Sequence, residues 1–416
     1  MGGKNQRKYT IHSGKIILFV PSFPKLSETF IISKFLGLLG KGRDVHIVCR
    51  NSPKSAWRHF PEHNKKHVRQ RIHVIWPHQP RWLAALLAPW NFVRVFYRAP
   101  RFTMYYFIHG WHQFGADILR RLYLDAELII QHPDLIHFEF GALAVGKMYL
   151  KGLLRCKVTV SFRGYDLNYI GLDDPNYYQE VWEKADALHL LGEDLWRRAQ
   201  HRGCPPDKPH ILIPPAIDIG FFSSDGRVES SIVGSPERPL HILSVGRLEW
   251  KKGYEYALQA VRNLLDQGVH CEYRIVGSGE FLEAVAFARH QLGLEGVVNL
   301  VGAVSRSEVK IQMKWADVFL HAAVSEGFCN AVMEAQAMAL PVVCTNADGL
   351  RENVADGETG FVVPRRDPRA LAKKLALLAR DPALRARIGK AGSRRVHISF
   401  RLEQQINKFD RFYRLS

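Results

Sequence analysis

Short apolar segments alternate with amphipathic helices along most of this 416-residue chain. From Leu240 onward the pattern predicts strands and helices in strict turn, ending with a helix over residues 369–380. Strands separated by helices of about ten to fifteen residues are typical of a parallel, doubly wound α/β sheet. In such a sheet ligands bind beyond the carboxyl ends of the strands.

The first half of the chain repeats this pattern less regularly. Apolar runs predict strands at Ile16–Val20, Val45–Cys49, Leu135–Phe138 and Lys157–Phe162, and a helix is predicted to start at residues 27–29. The sequence therefore predicts a second α/β domain.

The length of the chain favours two domains rather than one core. Residues 223–239 are poor in large apolar side chains and rich in Ser, Gly and Pro, which predicts a linker. We expect Rossmann-like domains over residues 1–222 and 240–395, facing one another across a cleft, and a final helix over residues 396–416 that returns to the first domain.

The cysteines and the hydropathy exclude several classes of protein. The six cysteines lie far apart and form no Cys-x2-Cys pair, which argues against a zinc site or a disulfide framework and suits a reducing cytosol. We expect no signal peptide, since the N-terminal residues lack an apolar core. No apolar run is long enough to predict a transmembrane span.

The positive charge is concentrated in the first third of the chain. Residues 1–121 contain 21 Lys and Arg against four acids, whereas the remainder contains 37 against 36. Such a field attracts an anionic membrane, a phosphorylated ligand or a nucleic acid. A solubilising surface charge is the alternative interpretation.

Aromatic and basic residues are interleaved within residues 76–112. This composition is typical of a segment that lies in a membrane interface, and its prolines are expected to break it into short pieces. The alternative is a helical hairpin that packs its aromatic side chains into the first domain.

Two cations flank a predicted turn at the start of the second domain. Arg247 and Lys252 follow the strand that ends at Val245 and precede a helix, an arrangement suited to a diphosphate. A solvated basic loop fits the same residues. The glycines in residues 276–280 would allow the backbone to come close to a ligand. A tight turn would explain them equally well.

The stretch SEGFCNAVMEA carries two carboxylates around a predicted helix start. Gly327 allows the backbone to turn, and the helix is expected to begin near Asn330 with free N–H groups at residues 328–330. No structural role is evident for Glu326. Glu334 could have one, because the helix dipole stabilises a negative charge near a helix N-terminus. Carboxylates accept hydrogen bonds from hydroxyl groups, and free N–H groups donate hydrogen bonds to phosphate. A nucleotide-sugar has both kinds of group.

Several motifs in order resemble one known family. GRLEWKKG, SEGFCNAVMEA, AQAMALPVVCT and ENVADGETGFVVP are similar to the donor-binding domain of retaining glycosyltransferase family four, which has the GT-B fold. The resemblance is close over about residues 240–375. It is looser in the first domain, where SFPKLSETFI, IHFEFGA and SFRGYDL resemble members that build bacterial exopolysaccharides such as colanic acid.

The resemblance implies a role for each matching residue. Arg247 and Lys252 would hold the donor diphosphate and stabilise the departing nucleotide, and Glu326, the third predicted catalytic residue, would bind hydroxyls of the transferred sugar. Glu334 would bind the ribose. The remaining predicted donor contacts are Gly246, Val304, Gly327, Phe328, Cys329 and Asn330.

The first domain would then bind the acceptor. Arg163 stands where the family often has histidine, which leaves its role open between phosphate and an acidic acceptor. The predicted acceptor-side residues are Ser27, Glu28, Thr29, His137, Arg163 and Asp166, with Glu139 in similar standing. N-capping of a helix is the alternative role for residues 27–29.

The sequence thus predicts a retaining glycosyltransferase that uses a UDP-, GDP- or ADP-linked sugar. Its acceptor would be a glycan or a polyprenyl-diphosphate-linked saccharide, and neither a metal nor another cofactor is expected. We expect a cytoplasmic enzyme at the inner face of the membrane, with anionic lipid but no nucleic acid as a partner. The alternatives are a nucleotide-sugar epimerase, a basic nucleic-acid-binding protein and an inactive sugar-binding partner.

Overall fold

A computed structural model describes residues 14–25, 28–58, 60, 64–223 and 231–415 of the chain. The chain forms two compact units. Unit 1 comprises Met1–Leu190, Ala199–Ile211 and Ile406–Ser416, and unit 2 comprises Leu191–Arg198 and Leu212–Gln405.

Unit 1 is built on a seven-stranded sheet with the order β3-β2-β1-β4-β5-β6-β7. The pairings of its first six strands are parallel. Its strands are β1 (Ile16–Ser22), β2 (Val45–Asn51), β3 (Ile72–Val74), β4 (Leu135–Phe138), β5 (Lys157–Phe162), β6 (Ala187–Leu190) and β7 (His210–Leu212).

Helices connect the successive parallel strands of unit 1. They are α1 (Thr29–Gly40), α2 (Lys54–Trp57), α3 (Lys66–Arg69), α4 (Arg81–Arg98), α5 (Pro100–Phe114), α6 (Asp117–Leu124), α7 (Ala126–Gln131), α8 (Gly141–Ala144), α9 (Tyr149–Leu153), α10 (Gly164–Tyr169) and α11 (Gln179–Lys184). The next helix, α12 (Glu193–His201), belongs to unit 2 as far as Arg198 and to unit 1 from Ala199. The sheet is covered on both faces in this architecture, which is why the apolar run of β1 is buried throughout residues 16–20.

The basic aromatic segment forms two consecutive helices, α4 and α5. The expectation that prolines would break it into short pieces is wrong for Pro89, which lies inside α4. Its ring removes one backbone N–H, but Pro89 is solvent-exposed, so water can satisfy the carbonyl group left without a partner. Pro100 begins α5, where the missing N–H has no helical partner to lose.

Unit 2 is built on a six-stranded parallel sheet with the order β10-β9-β8-β11-β12-β13. Its strands are β8 (Leu240–Val245), β9 (Cys271–Val276), β10 (Val298–Gly302), β11 (Val318–His321), β12 (Val342–Thr345) and β13 (Gly360–Val363). Its helices are α13 (Tyr254–Asp266), α14 (Leu282–Gln291), α15 (Arg306–Trp315), α16 (Asn330–Ala337), α17 (Leu350–Asn353), α18 (Pro368–Arg380) and α19 (Pro382–Ser399); α20 (Leu402–Leu415) ends the chain.

The segment that resembles a linker lies partly outside the described residues, at 224–230. The part that follows is attached to unit 2. The Val233 N–H donates to the Ala379 carbonyl oxygen over 3.1 Å, and the guanidinium of Arg385 donates to the Ser231 carbonyl oxygen over 2.7 Å. Contacts assign residues Leu212–Gln405 to unit 2.

The C-terminal residues Ile406–Ser416 belong to unit 1. Phe409 and Tyr413 of α20 lie against His137 of β4, with ring centroids 6.3 and 5.1 Å from the imidazole. Asp410 forms an ion pair with Arg43. Within the described part of the chain, no helix is both long enough and apolar enough to cross a membrane.

Candidate functional site

Two adjacent strands bring the predicted donor residues of unit 2 together. β8 and β11 are parallel neighbours, so the loops after Val245 and His321 leave the same edge of the sheet. The first loop carries Lys252 in a 3-10 turn over Trp250–Lys252, and the second carries Glu326. The turn ends at Gly253, which has a φ of 62° and lies so close to the Ala322 carbonyl oxygen that a Cβ would clash.

Lys252, Glu326 and His321 form a compact charged cluster. The Lys252 ammonium is paired with Oε2 of Glu326, and both side chains are largely buried. His321 Nε2 lies 3.4 Å from the same oxygen and is also buried. The sequence predicted Lys252 and Glu326 separately but missed both their pairing and His321, whose signal is its position at the end of an apolar strand.

The carboxyl of Glu326 and the imidazole of His321 are both charged at neutral pH. Burial alone would raise the pKa of Glu326, but the Lys252 ammonium and the His321 imidazolium lower it to about 2. Burial would lower the pKa of His321, but Cys329 and Glu326 raise it to about 9. The carboxyl group of Glu326 is therefore ionised at neutral pH.

Arg247 pairs with Glu249, which was not predicted from the sequence as a site residue. Its guanidinium lies 2.5 Å from Oε1 of Glu249, and its side chain remains 64% exposed. The second oxygen of Glu249 lies 3.1 Å from the Lys251 ammonium. Arg247 is thus exposed enough to exchange Glu249 for an incoming anion.

The glycines of this edge are required by backbone packing. A Cβ on Gly277 would lie 1.9 Å from the Gly246 carbonyl oxygen, and one on Gly279 would lie 2.3 Å from the Leu248 carbonyl oxygen. The close approach that these glycines allow is therefore between two loops of unit 2. The Gly246 carbonyl also accepts a hydrogen bond from the Tyr254 hydroxyl over 3.1 Å.

Helix α16 begins at Asn330, as the sequence predicted. The expectation of a free N–H is wrong at Cys329, because its amide donates to Oδ1 of Asn353 over 3.0 Å. The Asn353 amide group returns a bond to the Cys329 carbonyl over 3.3 Å. Asn353 therefore fixes the entry of α16, and Gly327, Phe328 and Asn330 remain the predicted backbone contacts.

Glu334 lies on the second turn of α16 in a partly buried environment. Burial raises the pKa of its carboxyl to about 7, which the positive charge of Arg306 only partly opposes. Among the described residues no hydrogen bond or ion pair reaches this carboxylate. Val304 is half-buried in the loop between β10 and α15, and Phe328 packs edge-on against Phe400.

His321, Glu326 and Cys329 also offer donor atoms of the kinds that bind metals, all within 4.8 Å of one another. The Lys252 ammonium, however, already donates a hydrogen bond to Oε2 of Glu326. Burial would raise the pKa of the Cys329 thiol, but His321 and Lys252 lower it. The positive charges of His321 and Lys252 disfavour the binding of a metal cation at this position. Metal independence stays a prediction.

In unit 1, the predicted acceptor residue His137 lies in the interior of β4. Its Nδ1 is 2.8 Å from the Thr159 hydroxyl and its Nε2 is 2.8 Å from the Ser161 hydroxyl. The imidazole is fully buried, and this burial holds its pKa well below the ordinary value. These contacts indicate a structural role and disfavour direct contact with an acceptor.

Arg163 and Glu139 belong to a buried ion-pair group that the sequence did not reveal. Arg163 Nη2 lies 3.4 Å from Glu139 Oε2, and its guanidinium stacks on the Phe30 ring at 3.8 Å. The Lys34 ammonium is paired with the other oxygen of Glu139. Burial lowers the pKa of Lys34 to about 8 although Glu139 opposes it.

The remaining predicted acceptor-side residues differ in their burial and in their hydrogen-bond partners. Asp166 is buried and accepts hydrogen bonds from the amides of Arg163 and Ala142 over 3.0 and 3.1 Å, which pins the start of α10. Glu28 precedes α1 without a side-chain cap and pairs with Lys25 at 2.5 Å. Thr29 is exposed at the start of α1, and Ser27 lies outside the described residues.

Comparison with known proteins places this geometry in a family. The model of the family described as "Glycosyl transferases group 1" matches residues 227–395. A relative from Salmonella typhimurium bears the name "Putative colanic acid biosynthesis glycosyltransferase WcaL". It is 30% identical over 387 residues, which cover 88% of this chain and 91% of the relative. The amylovoran biosynthesis glycosyltransferase AmsK of Erwinia amylovora is 29% identical, covering 89% and 91%.

Solved structures agree on the fold. HepE of Anabaena, crystallised with UDP and glucose, has a TM-score of 0.71 at 16% identity and covers 97% of this chain and all of its own. Sucrose-phosphate synthase of Thermosynechococcus elongatus has a TM-score of 0.67 at 18% identity, covering 97% and 98%. The two parallel-sheet units therefore have the GT-B fold of glycosyltransferases, as the sequence predicted. The chain belongs to the group 1 glycosyl transferase family and is a glycosyltransferase.

Proposed function

We propose that unit 2 binds a nucleotide-sugar and that the enzyme transfers its sugar with retention of configuration. The observation that carries this proposal is the pairing of Lys252 with Glu326 at the carboxyl edge of the sheet. One ammonium and one ionised carboxylate, held side by side, match a donor whose phosphate and sugar hydroxyls are adjacent. HepE was crystallised with UDP and with UDP-glucose, which supports a nucleotide-sugar without identifying it here.

The roles follow from the charges. Lys252 has three N–H donors, so its ammonium can keep Glu326 and still reach a phosphate oxygen. Arg247 would release Glu249 and bind the same diphosphate. Because negative charge builds on the departing diphosphate, two cations at that position stabilise the transition state. Glu326 accepts hydrogen bonds from sugar hydroxyls, and Glu334 accepts those of the ribose.

We infer substitution on one face of the sugar rather than a covalent intermediate. A carboxylate nucleophile must be free to attack the anomeric carbon, whereas Glu326 is already paired with Lys252 and His321. The leaving phosphate would accept the proton of the acceptor hydroxyl. Removing a unit 1 carboxylate such as Glu28 should therefore cost much less than a thousandfold in rate, and a larger loss with binding intact contradicts this mechanism.

The donor proposal is tested by a thermal-shift screen with UDP-, GDP- and ADP-sugars. One nucleotide should raise the melting temperature of the wild-type protein by mass action, and Glu334→Ala should lose that rise. The charge-matched control is Glu283→Ala, an exposed position on α14 that should keep it. No rise with any donor, or an equal rise in both variants, contradicts the assignment.

We propose further that the acceptor is a glycan or a polyprenyl-diphosphate-linked saccharide of bacterial exopolysaccharide synthesis. The names of WcaL and AmsK support this pathway class. The enzyme would then work at the inner, cytoplasmic face of the membrane, where a lipid-linked acceptor lies. The basic first third of the chain fits an anionic lipid surface, since each Lys or Arg near such a surface contributes about 1 kcal/mol.

Helices α4 and α5 supply the apolar part of this membrane surface. Five side chains of α4 recur at spacings of four, four, three and four residues and are at least 65% exposed: Trp82, Leu86, Trp90, Val93 and Tyr97. Spacing of this kind places them on one helix face. On α5, Met104, Ile108 and Trp111 are between 46% and 49% exposed.

Charge favours a lipid surface over a second copy of the chain as the occupant of this face. Residues 63–116 contain eight Lys and Arg and no acidic residue. Two copies would bring equal positive charges together, whereas anionic headgroups would neutralise them. Exposed tryptophans beside arginines are typical of the interfacial region of a bilayer.

Vesicle co-sedimentation tests this surface. The wild-type protein should bind vesicles containing phosphatidylglycerol more tightly than neutral ones, and salt should weaken the binding. Trp90→Ser with Tyr97→Ser should weaken it at least about tenfold, because each aromatic loses on the order of 1–2 kcal/mol of apolar burial. Phe287→Ser, which removes an exposed aromatic of unit 2, is the control and should bind normally. Equal binding by all variants, or a change in oligomeric state alone, contradicts the membrane surface.

A further inference from the structure

We propose that Asp348 is a positioning residue for transfer: it fixes the main chain of Glu326 and thereby aims that carboxylate at the sugar. The inference rests on the proposed function for its catalytic consequence. Asp348 lies in the loop after β12, which neighbours β11 in the sheet. It is separated from Glu326 by 22 residues in sequence.

One oxygen of Asp348 holds the loop that carries Glu326. Its Oδ2 accepts a hydrogen bond from the Glu326 amide over 3.0 Å and another from the Ser325 hydroxyl over 2.7 Å. The next residue completes the clamp, because the Gly349 N–H donates to the Glu326 carbonyl oxygen over 3.0 Å. Both peptide groups of Glu326 are therefore held from residues 348–349.

The other oxygen of Asp348 is neutralised by two arginines. Oδ1 lies 2.6 Å from Arg198 Nη2 and 3.4 Å from Arg365 Nη1. The Asp348 side chain is only 3% exposed, so the charge would be costly without them. Oδ1 thus faces both arginines, while Oδ2 accepts the hydrogen bonds that order the loop.

The backbone of Asp348 adopts a conformation that is unusual for a residue with a side chain. Its φ is 46°, in the left-handed region that non-glycine residues rarely adopt. Glycine would relax this conformation, yet an aspartate with a fully engaged carboxylate occupies the position. Its neighbour Gly349 approaches the Gly327 carbonyl so closely that a Cβ would lie 1.9 Å from the oxygen. The tight packing leaves the Glu326 loop little freedom while the clamp is intact.

Two substitutions separate positioning from stability. Asp348→Gly removes the hydrogen bonds of the carboxylate to Ser325 and Glu326 without adding backbone strain. Asp348→Asn keeps an oxygen for the Glu326 amide but loses the pairing with both arginines. We expect the two variants to lose similar thermal stability. Only Asp348→Gly should lose rate, by about a hundredfold at saturating donor, because misplacing a bound substrate by about 1 Å has effects of this size. Its affinity for the nucleotide without sugar should change less than threefold.

The His321 imidazole provides a readout that needs no turnover. Because Glu326 accepts its hydrogen bond, NMR titration should show a lower His321 pKa in Asp348→Gly than in the wild-type protein or Asp348→Asn. An unchanged His321 pKa in Asp348→Gly, or equal rate losses in both variants, would overturn the positioning role. If the wild-type protein consumes no donor, the proposed function fails, and the His321 titration still decides whether Asp348 positions Glu326.

Discussion

Glu334 makes a quantitative prediction about donor binding. Its carboxyl has a pKa of about 7 in the free protein because burial disfavours the charged form. A ribose that donates hydrogen bonds to this group would favour the ionised carboxylate instead. Donor binding should therefore lower the pKa of Glu334 and release a proton.

The size of the effect follows from linkage. If Glu334 is ionised in the complex, the dissociation constant at pH 6 should be about tenfold larger than at pH 8, equivalent to about 1.4 kcal/mol. At pH 7, binding should release about half a proton. Titration calorimetry with the nucleotide-sugar that binds, in two buffers of different ionisation enthalpy, measures both quantities. A nucleotide-sugar is the correct probe because its diphosphate has no proton to lose in this range.

The matched variants isolate the group responsible. Glu334→Gln should bind more weakly at pH 8 and show no dependence on pH between 6 and 8, while Glu283→Gln should retain the full slope. His321 does not titrate in this window, since its pKa is about 9. A flat profile for the wild-type protein, or a slope that survives in Glu334→Gln, would refute the assignment of Glu334 to the ribose.

Other substitutions in unit 2 have distinct expected outcomes. Lys252→Met should destabilise the fold by about 3 kcal/mol in urea unfolding, because it leaves the carboxylate of Glu326 buried without its partner. Adding Glu326→Gln should recover part of that loss, and an additive double variant would show that the pair is not coupled. Gly349→Ala should cost about 1–3 kcal/mol, since its Cβ would clash with the Gly327 carbonyl oxygen; a melting temperature unchanged from the wild type would argue that the loop can move aside.

Local patterns were sufficient to predict most of the strands and the helix start of the donor motif, although β3 and β7 were not predicted. Leu135–Phe138 and Lys157–Phe162 were expected with the bounds that the structure has. The start of α16 at Asn330 was also expected, because the glycine and the change from apolar run to helical spacing are visible in sequence. The prediction failed at Pro89, since a proline in an exposed helix can be tolerated when water satisfies the freed carbonyl.

The pairings within the sites could not be predicted, because they join distant parts of the chain. Lys252 and Glu326 are 74 residues apart, and nothing local marks them as partners. Asp348 occupies a loop with no motif of its own, and its contact with Glu326 depends on the order of β11 and β12 in the sheet. Such contacts arise from topology, so a single sequence indicates the residue types but not the network.

Proton NMR of the reaction itself tests retaining sugar transfer by this enzyme most directly. Wild-type protein and Lys252→Met would be mixed with the donor identified by thermal shift and with a lipid-linked saccharide in anionic vesicles. The product should have the anomeric configuration of the donor, and the variant should form it at least about a hundredfold more slowly because the departing diphosphate loses a cation. A product of inverted configuration, or a variant within threefold of the wild-type rate, would contradict this mechanism.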